Sequence, residues 1–206
     1  MNILLVVLVT FFAGMGAGLG TGFAGMSAAA VISPMLITFL NMDPYMAVGI
    51  ALSSDVLASA VSAYTYKKNG NLDVKNGVIM MITVLIFTVV GSYISSLIPS
   101  QTMGSFSVFM TFLLGIKFIV RPVMTTKESM EAIDSKKRVR QSILCGMLVG
   151  FICGFIGAGG GMMMLLVLTS VLGYELKTAV GTSVFIMAFT AFTGSASHVI
   201  LGGIPD

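Results

Sequence analysis

The sequence predicts an all-α polytopic membrane protein, built as an inverted-topology repeat with Gly-rich broken or re-entrant helices and about 8 membrane segments. Three observations lead there. The first is composition: of 206 residues, 56% are apolar before 24 glycines are counted, 9% are charged, and the mean hydropathy is +1.02. A water-exposed domain carries roughly 25% charged residues, so this chain is not solvated like one. A soluble enzyme, a nucleic-acid-binding domain and a disordered chain are excluded, because a net charge of +3 draws on too few charges to build a basic groove. The second observation is the length of the uncharged runs, and the third is the recurrence of one of them.

No charge occurs from Met1 to Met42, and further runs cover 44–66 (interrupted by Asp55), 76–99, 101–120 (interrupted by Lys117), 141–174 and 178–205. A membrane helix needs about 20 apolar residues. The runs 44–66, 76–99, 101–120 and 178–200 fit one span each, while 2–42 and 141–174 are too long for one. Glycines cut both long runs, from Gly14 to Gly25 and from Gly154 to Gly161. The pieces after the cuts, near 27–40 and 162–172, would be helices of roughly 21 and 16 Å, short of a hydrocarbon core of about 30 Å. They read as half-helices. Ala13-Gly14-Met15 resembles a signal-cleavage site, but no basic region precedes the apolar run and a related segment recurs inside the chain. Cys145 and Cys153 are eight positions apart in one apolar segment, a poor spacing for a disulfide.

Counted over alternate loops, all 11 basic residues fall on one side, with Lys117 near the end of its span. The positive-inside rule makes that side cytoplasmic and puts the N-terminus outside, in the cell membrane. The run Lys136-Lys137-Arg138-Val139-Arg140 then reads as a topology signal in a cytoplasmic loop, 122–140, rather than a nucleic-acid patch.

Shifting the sequence by 132 positions pairs Gly14-Met15 with Gly146-Met147, Gly18 with Gly150, Gly22-Phe23 with Gly154-Phe155 and Gly25 with Gly157. The register continues ungapped through Leu36 and Leu168, Asp43 and Glu175, Ala47-Val48-Gly49 and Ala179-Val180-Gly181, to Gly70 and Gly202. The chain therefore divides into a first repeat, 1–121, the basic loop, and a second repeat, 141–206. An odd number of crossings separates the copies, so the second is inverted. Copy one continues beyond Asp73 through two spans that copy two lacks, so a truncated product, a fragment or a half completed by a partner is expected.

In inverted-repeat carriers the site lies where discontinuous helices meet near the midplane. Irregular backbone at that depth persists only where it is buried in protein or lines a cavity. The expected anion-binding groups are accordingly Gly22, Gly25 and Ser27 in the first loop and Gly157, Gly159, Gly160 and Gly161 in the second, each loop running into a half-helix N-terminus with free N–H groups. Gly14 and Gly18 read instead as helix-packing glycines. Hydroxyls at the following spans, Ser53 and Ser54 in copy one and Thr182 and Ser183 in copy two, are further hydrogen-bond donors. Asp55, the one acid deep within a span, is a coupling candidate, either a proton site or a partner for Lys117, with Met187 at the matching place. His198, the sole histidine, reads as interfacial.

These residues resemble the sulfite exporter TauE/SafE family, also called the toluene sulfonate uptake permease family. The resemblance rests on Gly22-Phe23-Ala24-Gly25-Met26-Ser27 with Pro34, Ala47-Val48-Gly49 and Gly70-Asn71-Leu72-Asp73 in copy one. In copy two it rests on Gly157-Ala158-Gly159-Gly160-Gly161, Ala179-Val180-Gly181-Thr182-Ser183 and Gly203-Ile204-Pro205-Asp206. Copy one departs at Ala28-Ala29-Ala30 and Ile50-Ala51, and copy two at Leu166 in place of the proline, so the halves need not contact substrate equally. The resemblance implies a secondary permease for a small anion, namely sulfite, thiosulfate, an organosulfonate or an organocarboxylate, working by alternating access.

The expected partners are that anion, the lipid bilayer, a coupled proton and a second copy of the chain, with no nucleic acid, metal or cofactor. A non-transporting membrane subunit or channel component that needs a partner is the alternative. An enzyme is not expected: Ser195, Ser197 and His198 are near neighbours on one helix and point different ways, Cys153 lacks a base, and no His-Glu-x-x-His occurs.

Overall fold

The computed structural model describes residues 3–95, 116, 120, 126–131, 135–156 and 160–202, and among them all regular structure is helical. The helices are α1 (Ile3–Ala24), α2 (Ala29–Leu40), α3 (Pro44–Lys68), α4 (Val74–Ser95), α5 (Lys127–Glu131), α6 (Ser135–Ile156), α7 (Gly160–Ser170) and α8 (Leu176–Gly202). Stretches within α1, α3, α4 and α8 are long and apolar enough to cross a membrane. By contrast α2 and α7, with 12 and 11 residues, reach only about 18 and 16 Å. Apart from 116 and 120, the span expected over 101–120 lies outside the described residues, as do the loop glycines Gly157 and Gly159.

Each short helix is bounded by a backbone device. Gly25 at φ +60° ends α1: its N–H bonds to Thr21 O, and the Met26 N–H reaches back to Gly20 O. Asn41 at φ 49° ends α2, with the Met42 N–H on Leu36 O. The same cap closes α7, where Gly173 has φ +65° and the Tyr174 N–H bonds to Leu168 O. Each is a helix stop made by a left-handed residue, with the next N–H returning six positions to a carbonyl of the last turns. Asn41 and Gly173 stand 132 positions apart, as do the first residues of α3 and α8, so the repeat in the sequence is also a repeat of helix ends.

The basic stretch 135–140, expected as loop, is the first turns of α6. Lys and Arg are good helix formers, and their long side chains leave the helix axis for the polar end of the bundle. Helix α4 packs along α6, and α3 along α8. One core cluster joins α1, α2 and the start of α3 through residues such as Ala17, Ile32 and Ala51, while a second joins α4, α6, α7 and α8 through Met80, Val149, Leu168 and Ile186.

The repeated glycines have different surroundings in the two copies. A Cβ on Gly150 would overlap the Val84 backbone of α4, and one on Gly146 would press on Met80 and Thr83. On Gly14 or Gly18 it would meet nothing within 4 Å. Among the described residues, then, Gly14 and Gly18 do not pack as Gly146 and Gly150 do: they border a cavity of about 280 Å³ between α1, α2 and α3.

Candidate functional site

The break between α1 and α2 lies against the start of α7. A Cβ on Gly161, at the start of α7, would overlap the Gly25 carbonyl oxygen and the Met187 sulfur, and a Cβ on Gly25 would overlap the Ser183 hydroxyl. Gly25 is thus required twice, by its positive φ and by the close approach of α8.

The tip of α2 has no cap of its own, since Ala28 occupies the N-cap position without a side-chain bond. Asp55 caps it from α3. Its Oδ2 accepts the Ser27 hydroxyl at 2.5 Å, its Oδ1 accepts the Ser59 hydroxyl at 2.9 Å, and the Ala28 N–H also donates to it. Asp55 is 1% exposed and Ser59 is fully buried. Placing a carboxylate at a helix N-terminus satisfies orphan N–H groups and the helix dipole together. Ser27 and Asp55, singled out separately in the sequence, form one unit here. At the α7 tip the place of Asp55 is taken by Met187, which carries no charge.

The four candidate hydroxyls do not converge, because adjacent helix residues point about 100° apart. Ser53 donates to Gly49 O and lies 2.7 Å from the Ser195 hydroxyl. Ser54 donates to Ile50 O and lines the cavity beside Gly14 and Gly18. Ser183, fully buried, donates to Val180 O and faces Gly25. Thr182 turns away, its hydroxyl oxygen accepting the Asp73 N–H at 3.2 Å. Gly22 offers its carbonyl to the Tyr66 hydroxyl at 2.7 Å, which ties the end of α1 to α3.

Two features were not singled out from the sequence. Thr21, one turn before Gly25, is fully buried with its hydroxyl unpartnered, a loss of about 1–3 kcal/mol unless something bonds to it. Its place inside Gly20-Thr21-Gly22 was the available signal. The second is a polar knot at one end of the bundle. Asp73 accepts from Asn76 Nδ2 and from the Tyr174 hydroxyl, both at 2.7 Å, and pairs with Arg138 at 3.8 Å. Arg138 also donates to Met130 O and lies over the Tyr174 ring. Burial, then the Asp73 carboxylate, pushes the Tyr174 hydroxyl well above the ordinary phenol range, so it stays a protonated donor. Lys127 reaches Gly70 O, so the loop 69–73, the basic segment and the α7–α8 loop share one end.

Cys145 is a free, buried thiol. Lys117 and the side chain of His198 lie outside the described residues, and the described partners of Asp55 are hydroxyls and an amide.

Long apolar helices interrupted by two short ones, with the break after α1 set against the start of α7, fit the class of polytopic membrane proteins. The chain belongs to the sulfite exporter TauE/SafE family, whose profile matches residues 10–205. It is 27% identical to the probable membrane transporter protein YunE of Bacillus subtilis, over 91% of this chain and 73% of that one. It is 22% identical to YdhB of the same organism, over 97% and 80% of the two chains, and 28% identical to a probable membrane transporter protein of Methanocaldococcus jannaschii, over 95% and 72%. No solved structure matches the chain.

Proposed function

We propose that the chain is a secondary carrier for a small anion, its two hairpins being inverted copies that meet at the midplane of the cell membrane and alternate access to the two sides. The juxtaposition of the first helix break with α7 and α8, Gly25 against Gly161 and Ser183, carries this reading. In it the anion sits against the α7 tip at Gly160 and Gly161, where N–H groups and the helix dipole favour negative charge and the first turn carries no acid. Ser183, and Thr21 one turn before Gly25, are the hydroxyls on hand. The family description favours a sulfur oxyanion, so sulfite, thiosulfate and organosulfonates come before carboxylates. The shared basic end is cytoplasmic in this reading, which leaves the N-terminus outside and the whole arrangement at about 8 segments.

The deciding experiment is uptake of radiolabelled thiosulfate and toluenesulfonate by proteoliposomes holding the purified chain. Saturable uptake that Gly160→Val removes from a folded protein is expected. No uptake at any concentration would favour a membrane subunit that works only with a partner.

A further inference from the structure

We propose that Asp55 is a proton-binding site and that its carboxylate stands in for an anion at the α2 tip, so that the transported anion binds together with a proton. This deepens the carrier reading above and rests on it.

Asp55 lies near the middle of α3, 1% exposed. The elements packed against α3 bring no charge to its level: α1 and α2 contain none, and α8 carries only Lys177 at its first turn and His198 near its far end. On α3 itself the remaining titratable groups are Tyr45, its second residue, and Tyr64, Tyr66, Lys67 and Lys68, more than two turns beyond Asp55. Among the described residues, therefore, Asp55 is held by dipoles alone: two hydroxyls and the N–H of Ala28.

Those partners suit both protonation states. A serine hydroxyl donates to a carboxylate and, after rotating, accepts from a carboxyl O–H. The Ala28 N–H can stay on the carbonyl oxygen of the protonated group. A proton can thus arrive or leave without orphaning a buried polar atom. Asp73 differs in its charged partner: besides the Tyr174 hydroxyl it is held by a guanidinium and by Asn76 groups that only donate.

The two half-helix N-termini set the linkage, because Gly25, four residues before α2, lies against Gly161 at the start of α7. Each half-helix N-terminus carries about half a positive charge, so the pair offers about one, and an ionised Asp55 cancels it. With Asp55 protonated the tips present net positive potential to an anion at Gly160 and Gly161, beside the neutral Met187. Anion and proton then favour each other's binding reciprocally. Sodium suits the place less well, since the groups at Asp55 present hydrogens and the tip's field opposes a cation.

The test uses the purified full chain and thiosulfate, whose charge is constant through the neutral range. In the wild type, thiosulfate binding should weaken about tenfold per pH unit above the Asp55 midpoint, and in Asp55→Asn that slope should vanish. Ser59→Ala, which leaves the tip intact, should shift the pH profile along the axis without flattening it, an effect that a merely structural role would not produce. Infrared difference spectra of the wild type should show a carboxyl band that follows the same profile and is absent in Asp55→Asn. An unchanged slope in Asp55→Asn, a wild type without the titrating band, or uptake driven by a sodium gradient at constant pH overturns the proposal. If thiosulfate, sulfite and toluenesulfonate all fail to bind at every pH, the carrier reading fails. The infrared titration then still decides, on its own, whether Asp55 takes up a proton.

Discussion

The α2 tip receives a carboxylate from α3 and the α7 tip a thioether from α8, although Asp55 and Met187 occupy places 132 positions apart in a register that repeats helix ends and caps. Backbone geometry is shared and side-chain chemistry is not. Ala28-Ala29-Ala30 leads into α2, and a polar group borrowed from another helix satisfies its tip. Gly160-Gly161 leads into α7, and removal of the Cβ lets the Gly25 carbonyl and Met187 close on the tip without charge. One tip is neutralised by a carboxylate of the protein, and the other meets no charged side chain among the described contacts.

The sharpest way to break that comparison is to put the same side chain at both tips. Gly161→Val would drive a branched side chain into backbone at Gly25, which cannot swing aside as a flexible side chain does. A loss of about 3 kcal/mol or more is expected, at or beyond the usual overpacking range, and little folded protein should survive. Ala29→Val, the matching change in copy one, falls on a half-buried helix position and should cost about 0.5–1 kcal/mol. Melting curves in detergent, read by a thiol dye that reports exposure of the buried Cys145, measure both. Equal losses would mean that the tips are packed alike.

At the basic end the predicted loss is smaller. Tyr174→Phe removes a hydroxyl that donates to Asp73 and is held protonated by burial and by that same carboxylate. A bond to a charged acceptor is worth about 1.5–3 kcal/mol, and the phenyl ring keeps the packing, so the melting temperature should fall without change in thiosulfate affinity. A fall in affinity with normal stability would instead make this end part of the site.

Much of the fold was legible because membrane helices are specified by composition and length. The long runs, the two cuts and the matching starts of α3 and α8 follow from charge spacing and glycine placement. Which residues meet was much less legible. Ser53, Ser54, Thr182 and Ser183 look equivalent along the chain, yet a rotation of about 100° per residue sends them to Ser195, the cavity, Asp73 and Gly25. The pairing of Asp55 with Ser27 spans 28 positions and depends on how α2 folds back along α3, which periodicity does not encode. The knot of Asp73, Arg138 and Tyr174 was hidden for the same reason, its members lying in three separate segments.

The smallest predicted effect tests the glycines that the sequence presented as identical. Gly18 and Gly150 are repeat partners, but Val84 backbone lies against Gly150 while Gly18 borders open space. Gly150→Ala must push α4 away from α6, a loss of about 1–3 kcal/mol. Gly18→Ala adds a methyl group where nothing lies within 4 Å and replaces the least favourable ordinary residue of a helix interior with the most favourable. It should therefore stabilise by roughly 0.5–1 kcal/mol, a small upward shift in melting temperature opposite in sign to that of its partner. Helix propensity is the whole effect expected there, since the added methyl makes no new contact among the described residues. A clear loss in Gly18→Ala would mean that a helix or lipid seats against this face of α1 in the membrane, and the two glycine faces would then be alike after all.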